Sequence, residues 1–370
     1  MRIAATAFAQ ASGQILGRRS LFGQYGSQTL APAGLCLPFV REFAAVNDNT
    51  VMNVFDRQLK KLHRDRASVH ISEEPLTSEI ARRLLDRLKD CTRTFPSALI
   101  LGGASLAVTR ELHSSDLLKQ AGITEMTILD SSEAMLSKVA DSLSEDHAET
   151  QCATTFIHSD EEAYLNSSVQ EGSVDVVIAC LGLHWCNDLP GVLIQAKRVL
   201  KPDGLFLGAL FGGDTLQELR IACSVAEQER DGGVSARISP FAKVSDGGML
   251  LGRAGFNLPA VDIDTITMMY PNAYELVEHL RVMGETNAVL ARRGSVSRDT
   301  ALATAAAYQA LFQEDDGSVP ATFDAIFLTG WCPHHNQQRP DARGSATVSL
   351  KDLADLPASG DFGAETVRPR

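Results

Sequence analysis

Four groups of residues in the first half of the chain are of types that handle ligands. Gly102-Gly103 follows the apolar run Ala98–Leu101, and glycines at the end of a strand let backbone approach a ligand closely. Asp130 ends a second run, in ILDSSEAML. A carboxylate there has two oxygens, which suits the vicinal hydroxyls of a ribose. Asp160, with Glu161 and Glu162 beside it, ends a third run, where one acid would accept from the exocyclic amine of an adenine. After a fourth run comes Gly182-Leu183-His184-Trp185-Cys186-Asn187-Asp188. His184 is suited to proton transfer, metal ligation or substrate hydrogen bonding, and Trp185 to stacking on a ligand or a guanidinium group.

Each group also has a plainer reading. Asp130 stands where an Asp caps the next helix. The acids at 160–162 read equally as a solvated turn, and any tight turn asks for a glycine. Trp185 would also serve to pack its loop onto the following helix, with His184 a satisfied neighbour. Cys332-Pro333-His334-His335 has metal-ligand residue types, but adjacent side chains on a strand point to opposite faces and no second cluster stands at standard spacing. No metal is expected there. GxSxG, HExxH and P-loop patterns do not occur.

The elements that must position these groups follow a regular rhythm. Apolar runs at 98–101, 126–129, 153–157, 174–179 and 205–211 alternate with helices predicted at Leu106–His113, Ser132–Leu143 and Leu189–Leu200. A repeat of about 25 residues predicts a parallel, doubly wound α/β sheet. The 174–179 run is almost continuously apolar, as a strand covered on both faces should be. Lys201-Pro202-Asp203-Gly204 reads as the turn into the fifth strand. The rhythm then changes to helices at 214–230, 247–254, 274–283 and 299–312, with strands at 261–269 and 322–329. On the amino-terminal side, Leu76, Ile80, Leu84, Leu85 and Leu88 recur at helical spacing and should pack on the sheet. The preceding KKLHRDRAS, Lys60–Ser68, reads as a charged, solvated helix.

Composition narrows the function classes. The chain has 370 residues, 44% hydrophobic and 22% charged, with net charge −12. Without a basic run, nucleic-acid binding is excluded. No apolar run approaches the roughly 18 residues of a membrane span, which leaves peripheral association open. Seven cysteines, an odd number with no CxxC pair, argue against a disulfide framework and for a reducing compartment. Residues 1–46 carry Arg2, Arg18, Arg19 and Arg41 against the single acid Glu42. Such a leader reads as a mitochondrial transit peptide, followed by a domain over 47–352 and a frayed tail over 353–370.

Together, the Gly102-Gly103 turn, Asp130 with SSEAML, Asp160 and the block SVDVVIACLGLHW…RVLKPDGLF resemble a class I S-adenosylmethionine-dependent methyltransferase. The GxGxxG of a dinucleotide fold is absent. NVFDR, LHWCNDLPG, LFLGALFGGDTLQELR, ISPFAKVSDGGMLLGRAGF, LRVMGETNA, EDDGSVPATF and RPDARGSATVSL resemble, more narrowly, the mitochondrial complex I assembly factor 5 family and its bacterial relatives. The resemblance implies a Rossmann-like, mostly parallel doubly wound sheet with an antiparallel last strand. It implies a role in early assembly of respiratory complex I, in the matrix or on the matrix side of the inner membrane. The implied activity is hydroxylation of an arginine on the iron–sulfur subunit near the quinone site. The resemblance assigns S-adenosyl-L-methionine to Gly102, Gly103, Asp130, Ser131, Asp160 and Leu181, and the reaction to His184 and Trp185. No iron-binding triad is readable, so the oxygen-activating cofactor is unidentified.

The chain departs from the family's D-L-G-C-G-x-G turn. Ile100 replaces the acid, and Ala104 and Leu106 replace glycines. Side chains at those positions would crowd the methionine end of the cofactor and weaken binding by about a hundredfold. Two other readings therefore stand beside hydroxylation: methyl transfer to a small-molecule or carrier-bound acid, and a non-catalytic assembly chaperone.

Overall fold

Residues of β1, Ser97–Leu101, alternate between two cores. Ala98 and Ile100 join one apolar cluster and Leu99 and Leu101 the other, all fully buried, as a central strand requires. A computed structural model of the chain describes residues 2–3, 53–71, 74–146, 152–165, 169–338 and 344–345. Except for Arg2–Ile3, the transit segment expected at 1–46 lies outside them, as does the tail from 353. Residues to Pro333 form one unit; those from His334 form a second, whose described part holds a turn closed by Gln337 N–H donating to the His334 carbonyl.

The remaining strands are β2 Glu125–Asp130, β3 Ala153–His158, β4 Val174–Cys180, β5 Leu200–Phe211, β6 Asn257–Tyr270 and β7 Val319–Trp331. Across the sheet their order is β3-β2-β1-β4-β5-β7-β6, with Arg2–Ile3 paired outside β6. The strands from β3 to β5 are parallel, and β7 runs antiparallel to both β5 and β6. Pro202-Asp203-Gly204 does not precede β5 as a separate turn. It sits within the strand as a bulge, with Asp203 at φ +64° and the register jumping between Val174–Leu200 and Val176–Leu205.

The helices are α1 Arg57–Ala67, α2 Pro75–Lys89, α3 Ser105–Ser114, α4 Leu117–Gln120, α5 Glu133–Asp146, α6 Leu189–Val199, α7 Gln217–Arg230, α8 Val244–Ala254, α9 Ala273–Val282 and α10 Arg298–Phe312. Ile80, Leu84, Leu85 and Leu88 of α2 bury their stripe in the cluster that holds Ile100, Val176 and Ile178. Val192, Leu193 and Ala196 of α6 and Leu251 of α8 cover the opposite face with Leu99 and Val177. Ala104 and Leu106, the residues that replace turn glycines, are buried in the α2 cluster. Among the described residues, no helix is long and apolar enough to cross a membrane.

The β1–α3 turn is where backbone packing is tightest. Gly102 and Gly103 have φ +46° and +58°, a region that favours glycine. A Cβ on Gly103 would lie 2.0 Å from the Cys180 carbonyl and 2.6 Å from Gly182 N. Gly103→Ala is accordingly expected to destabilise the fold by about 3 kcal/mol or more, read from denaturant unfolding. A loss below about 1 kcal/mol would show that this approach is not needed.

Candidate functional site

Open α/β sheets collect ligands beyond the carboxyl ends of their parallel strands. Here Gly102-Gly103 after β1, Asp130 at the end of β2, Asp160–Glu162 after β3 and the 182–188 loop after β4 converge on that edge. Helix α1 lies against them, and it is not solvated as its charges suggest. Lys60, Arg64 and Ala67 form its buried stripe, while Leu62 is exposed.

Arg64 reaches Asp130, the residue assigned to a ribose. Its Nε donates to Oδ1 at 3.2 Å, and its Nη2 pairs with Oδ2. The same Nη2 donates to the Gly103 carbonyl at 2.9 Å. Ser132 N–H donates to Asp130 Oδ1 at 2.8 Å, so both readings of Asp130, helix-end acceptor and ligand partner, converge on one carboxylate. Asp130 and Arg64 are both buried. Burial opposes the Arg64 charge, but the Asp130 carboxylate outweighs it and holds the guanidinium above its ordinary value. Burial, the largest influence, pushes the Asp130 carboxyl above its ordinary value, against the pull of Arg64 and of the Ser132 N–H.

Arg57, two turns away on the same helical face and at the rim, gathers the acids after β3. Its Nη2 donates to Asp160 Oδ1 at 2.9 Å and to Glu161 Oε2, its Nε lies 3.5 Å from Glu162, and its Nη1 donates to the Trp185 carbonyl at 3.4 Å. Glu161 is tied back by Ser131, whose N–H and Oγ donate to Oε1 at 3.3 and 3.0 Å. The Glu161 carboxylate also fills the space beside Gly102, where a Cβ would meet Oε1 at 2.6 Å. Asp160 stays half exposed. Leu181 has φ +53° and donates its N–H to the Ala209 carbonyl at 2.8 Å.

His184 and Trp185 meet a partner that sequence reasoning missed. Glu285, beyond α9, accepts from His184 Nε2 at 2.9 Å and from Trp185 Nε1 at 2.8 Å. Its other oxygen accepts from Lys60 Nζ at 3.0 Å, and Lys60 also donates to the Gly284 carbonyl at 2.8 Å while lying 3.7 Å from the centre of the Trp185 ring. Burial pushes the Glu285 carboxyl up, but Lys60 and the two ring donors pull it well below its ordinary value. Burial pulls Lys60 down to about 8, against the attraction of Glu285. Burial likewise lowers His184, so at neutral pH it is a neutral ring donating through Nε2. Its buried Nδ1 has no partner.

The loop also holds α1 in place. Asn187 Oδ1 accepts from the N–H groups of Val54 and Phe55, both at 2.8 Å, and Trp185 meets the Phe55 ring edge-on at 5.3 Å. Phe55 bridges to Val289, and Arg292 pairs with Asp56 at 3.0 Å. The signal for this arrangement was present in the spacing of Arg57, Lys60 and Arg64 on one helical face. It was masked because charged side chains are ordinarily assigned to solvent. Glu285 lay inside the LRVMGETNA motif but 225 residues from Lys60, beyond the reach of local patterns.

The residues do not fit adenosylmethionine in this arrangement. Asp130 and the Gly103 carbonyl are engaged by Arg64. The cleft that remains, lined by Arg57, Lys60, Arg64, Gly103, Ser131 and Glu161, has a cavity volume of about 10 Å³, roughly the room of a single water molecule. Among the described residues, no three His, Cys, Asp or Glu side chains are grouped as metal ligands.

Strand order, antiparallel β7 and the acid-tipped β2 define an α/β protein on a methyltransferase-like scaffold. The methyltransferase domain family matches residues 109–208, a match that begins past the altered glycine turn. The chain is 42% identical over 312 residues to the Homo sapiens protein named arginine-hydroxylase NDUFAF5, mitochondrial, covering 82% of this chain and 84% of that one. To the protein of the same name from Dictyostelium discoideum it is 36% identical over 326 residues, covering 85% and 73%. The chain belongs to the mitochondrial arginine-hydroxylase NDUFAF5 family. It is also 30% identical over 283 residues to malonyl-[acyl-carrier protein] O-methyltransferase of Halorhodospira halophila, covering 75% and 88%.

The buried lysine sets a pH test. Unfolded, Lys60 titrates near about 10.4; folded, it titrates at about 8. Between those values the unfolded chain holds the extra proton, so stability rises with pH. The unfolding free energy of the chain, minus that of Lys60→Met, should climb from about pH 8 to about pH 10.4. A flat difference in stepped-pH denaturant unfolding would overturn the assignment.

Proposed function

We propose that this chain hydroxylates an arginine of the iron–sulfur subunit of respiratory complex I, near the quinone site, as an assembly factor on the matrix side of the mitochondrial inner membrane. The observation that carries the reading is 42% identity across 82% of the chain to a mitochondrial arginine hydroxylase. The site chemistry supports it. The ligand edge offers Asp130, Asp160, Glu161, Glu162 and Glu285 beside an indole, and it already holds two guanidinium groups of the chain itself. Planar guanidinium groups pair with carboxylates through paired N–H donors.

Hydroxylation places one oxygen atom of dioxygen into a C–H bond and the other into water, with two electrons and two protons from a reductant. Asp160, half exposed at the rim, is suited to receive the incoming guanidinium. Methyl transfer to a carrier-bound acid is the second reading, favoured by 30% identity to the malonyl-carrier O-methyltransferase. The Arg64–Asp130 pair weighs against it, because it engages the carboxylate that a nucleoside would need.

Mass spectrometry of the complex I iron–sulfur subunit decides the matter. Cells lacking the chain are expected to lose a +16 Da arginine that returns on re-expression. An arginine mass unchanged by the loss would reject hydroxylation, and a +14 Da carrier product lost instead would favour the second reading.

A further inference from the structure

We propose that helix α1 is an internal occupant of the nucleoside pocket, so that this chain keeps a methyltransferase-like scaffold while its resting fold excludes adenosylmethionine. The inference rests on the geometry of the pocket and not on the hydroxylation reading.

Arg64 reproduces what a ribose would give Asp130. Two donors from one rigid group meet the two carboxylate oxygens, as two hydroxyls of a diol would. The guanidinium takes the Gly103 carbonyl as well. The freedom of approach that Gly102 and Gly103 grant is used by the chain itself: the Glu161 carboxylate packs beside the first, and the Cys180–Gly182 backbone beside the second. No room for a ligand is gained from those glycines.

The helix is also pinned on several sides. Asn187 clamps Val54 and Phe55, Arg292 holds Asp56, and Lys60 is fixed by Gly284 and Glu285. Opening the pocket breaks the buried Arg64–Asp130 pair, so the binding-competent state is a minor one. Apparent affinity falls by that small population, at least about a hundredfold. The expected crowding by Ala104 and Leu106 is not what closes the pocket: both side chains are committed to the apolar core beneath the turn and neither lines the cleft.

Isothermal titration calorimetry of the full chain with S-adenosylhomocysteine and S-adenosylmethionine tests the inference, with Arg64→Met as the comparison. The expected result is no saturable binding by the native chain at up to about 1 mM, and affinity at least about a hundredfold tighter in Arg64→Met. Micromolar binding by the native chain would overturn it. A folded Arg64→Met chain that binds no better than the native one would overturn it too. If Arg64→Met does not fold, Arg64→Ala, which frees Asp130 and leaves space for water to donate to it, takes its place and is judged by the same two outcomes. The titration does not involve the complex I subunit, so its result and that of the arginine mass measurement stand or fall separately.

Discussion

The buried ion pair between Arg64 and Asp130 is the contact on which the arrangement of the ligand edge depends. An isolated carboxylate at the end of a covered β-strand would be costly to bury, and so would an isolated guanidinium. Paired, with N–H donors on both carboxylate oxygens and a carbonyl under the guanidinium, neither is left unsatisfied. Removing one partner of such a pair costs about 3–5 kcal/mol, whereas replacing both by apolar groups of similar volume is close to neutral. The pair is therefore a device of position. It fixes where α1 lies and brings Arg57 and Lys60, which share the helix face, to the acids after β3 and to Glu285.

That constraint explains an otherwise inverted helix. In α1 Lys60 and Arg64 point inward and Leu62 points out, the reverse of the usual amphipathic rule. The reversal follows from what the helix packs against: a sheet edge whose parallel strands end in acids. The apolar part of its docking is Ala67 in the main core, the Phe55–Trp185 contact and the small cluster with Ala288 and Val289. The rest is charge and hydrogen bonding shielded from water, which salt screens far less than a surface pair. The 182–188 loop joins these contributions: Trp185 packs, His184 and Trp185 orient Glu285, and Asn187 fixes the chain entering α1.

The parallel strands were legible because each reports on itself. The continuous apolar run at 174–179 is a strand covered on both faces, and Asp130 and Asp160 end runs that local pattern alone defines. The leucine stripe of α2 was legible for the same reason. The bulge at Pro202-Asp203-Gly204 was not, because the residue types that make a turn also make a bulge. The environment of α1 was not legible either. Its sequence carries the charge of a solvated helix, and only the fold brings Asp130, Glu161 and Glu285 beneath it. Glu285 illustrates the limit: nothing near it in sequence marks it as the shared acceptor for Lys60, His184 and Trp185. That role arises from the segment after α9 returning to the loop after β4.

The same geometry bears on how one scaffold separates reactions. A pocket built for a nucleoside needs Asp130 free and the glycine turn open; a pocket for a guanidinium needs acids at the rim and an apolar wall. In this chain the inner acid is neutralised from within, while the outer acids keep a partly exposed member in Asp160. The two requirements are thus divided by depth along α1: Arg64 closes the inner end, and Arg57 stands at the end that a protein side chain can reach. Both arginines ride on one helix face, so the contacts that place Arg64 on Asp130 also place Arg57 among the acids after β3. The Lys60–Glu285 pair stands between the two arginines on that face.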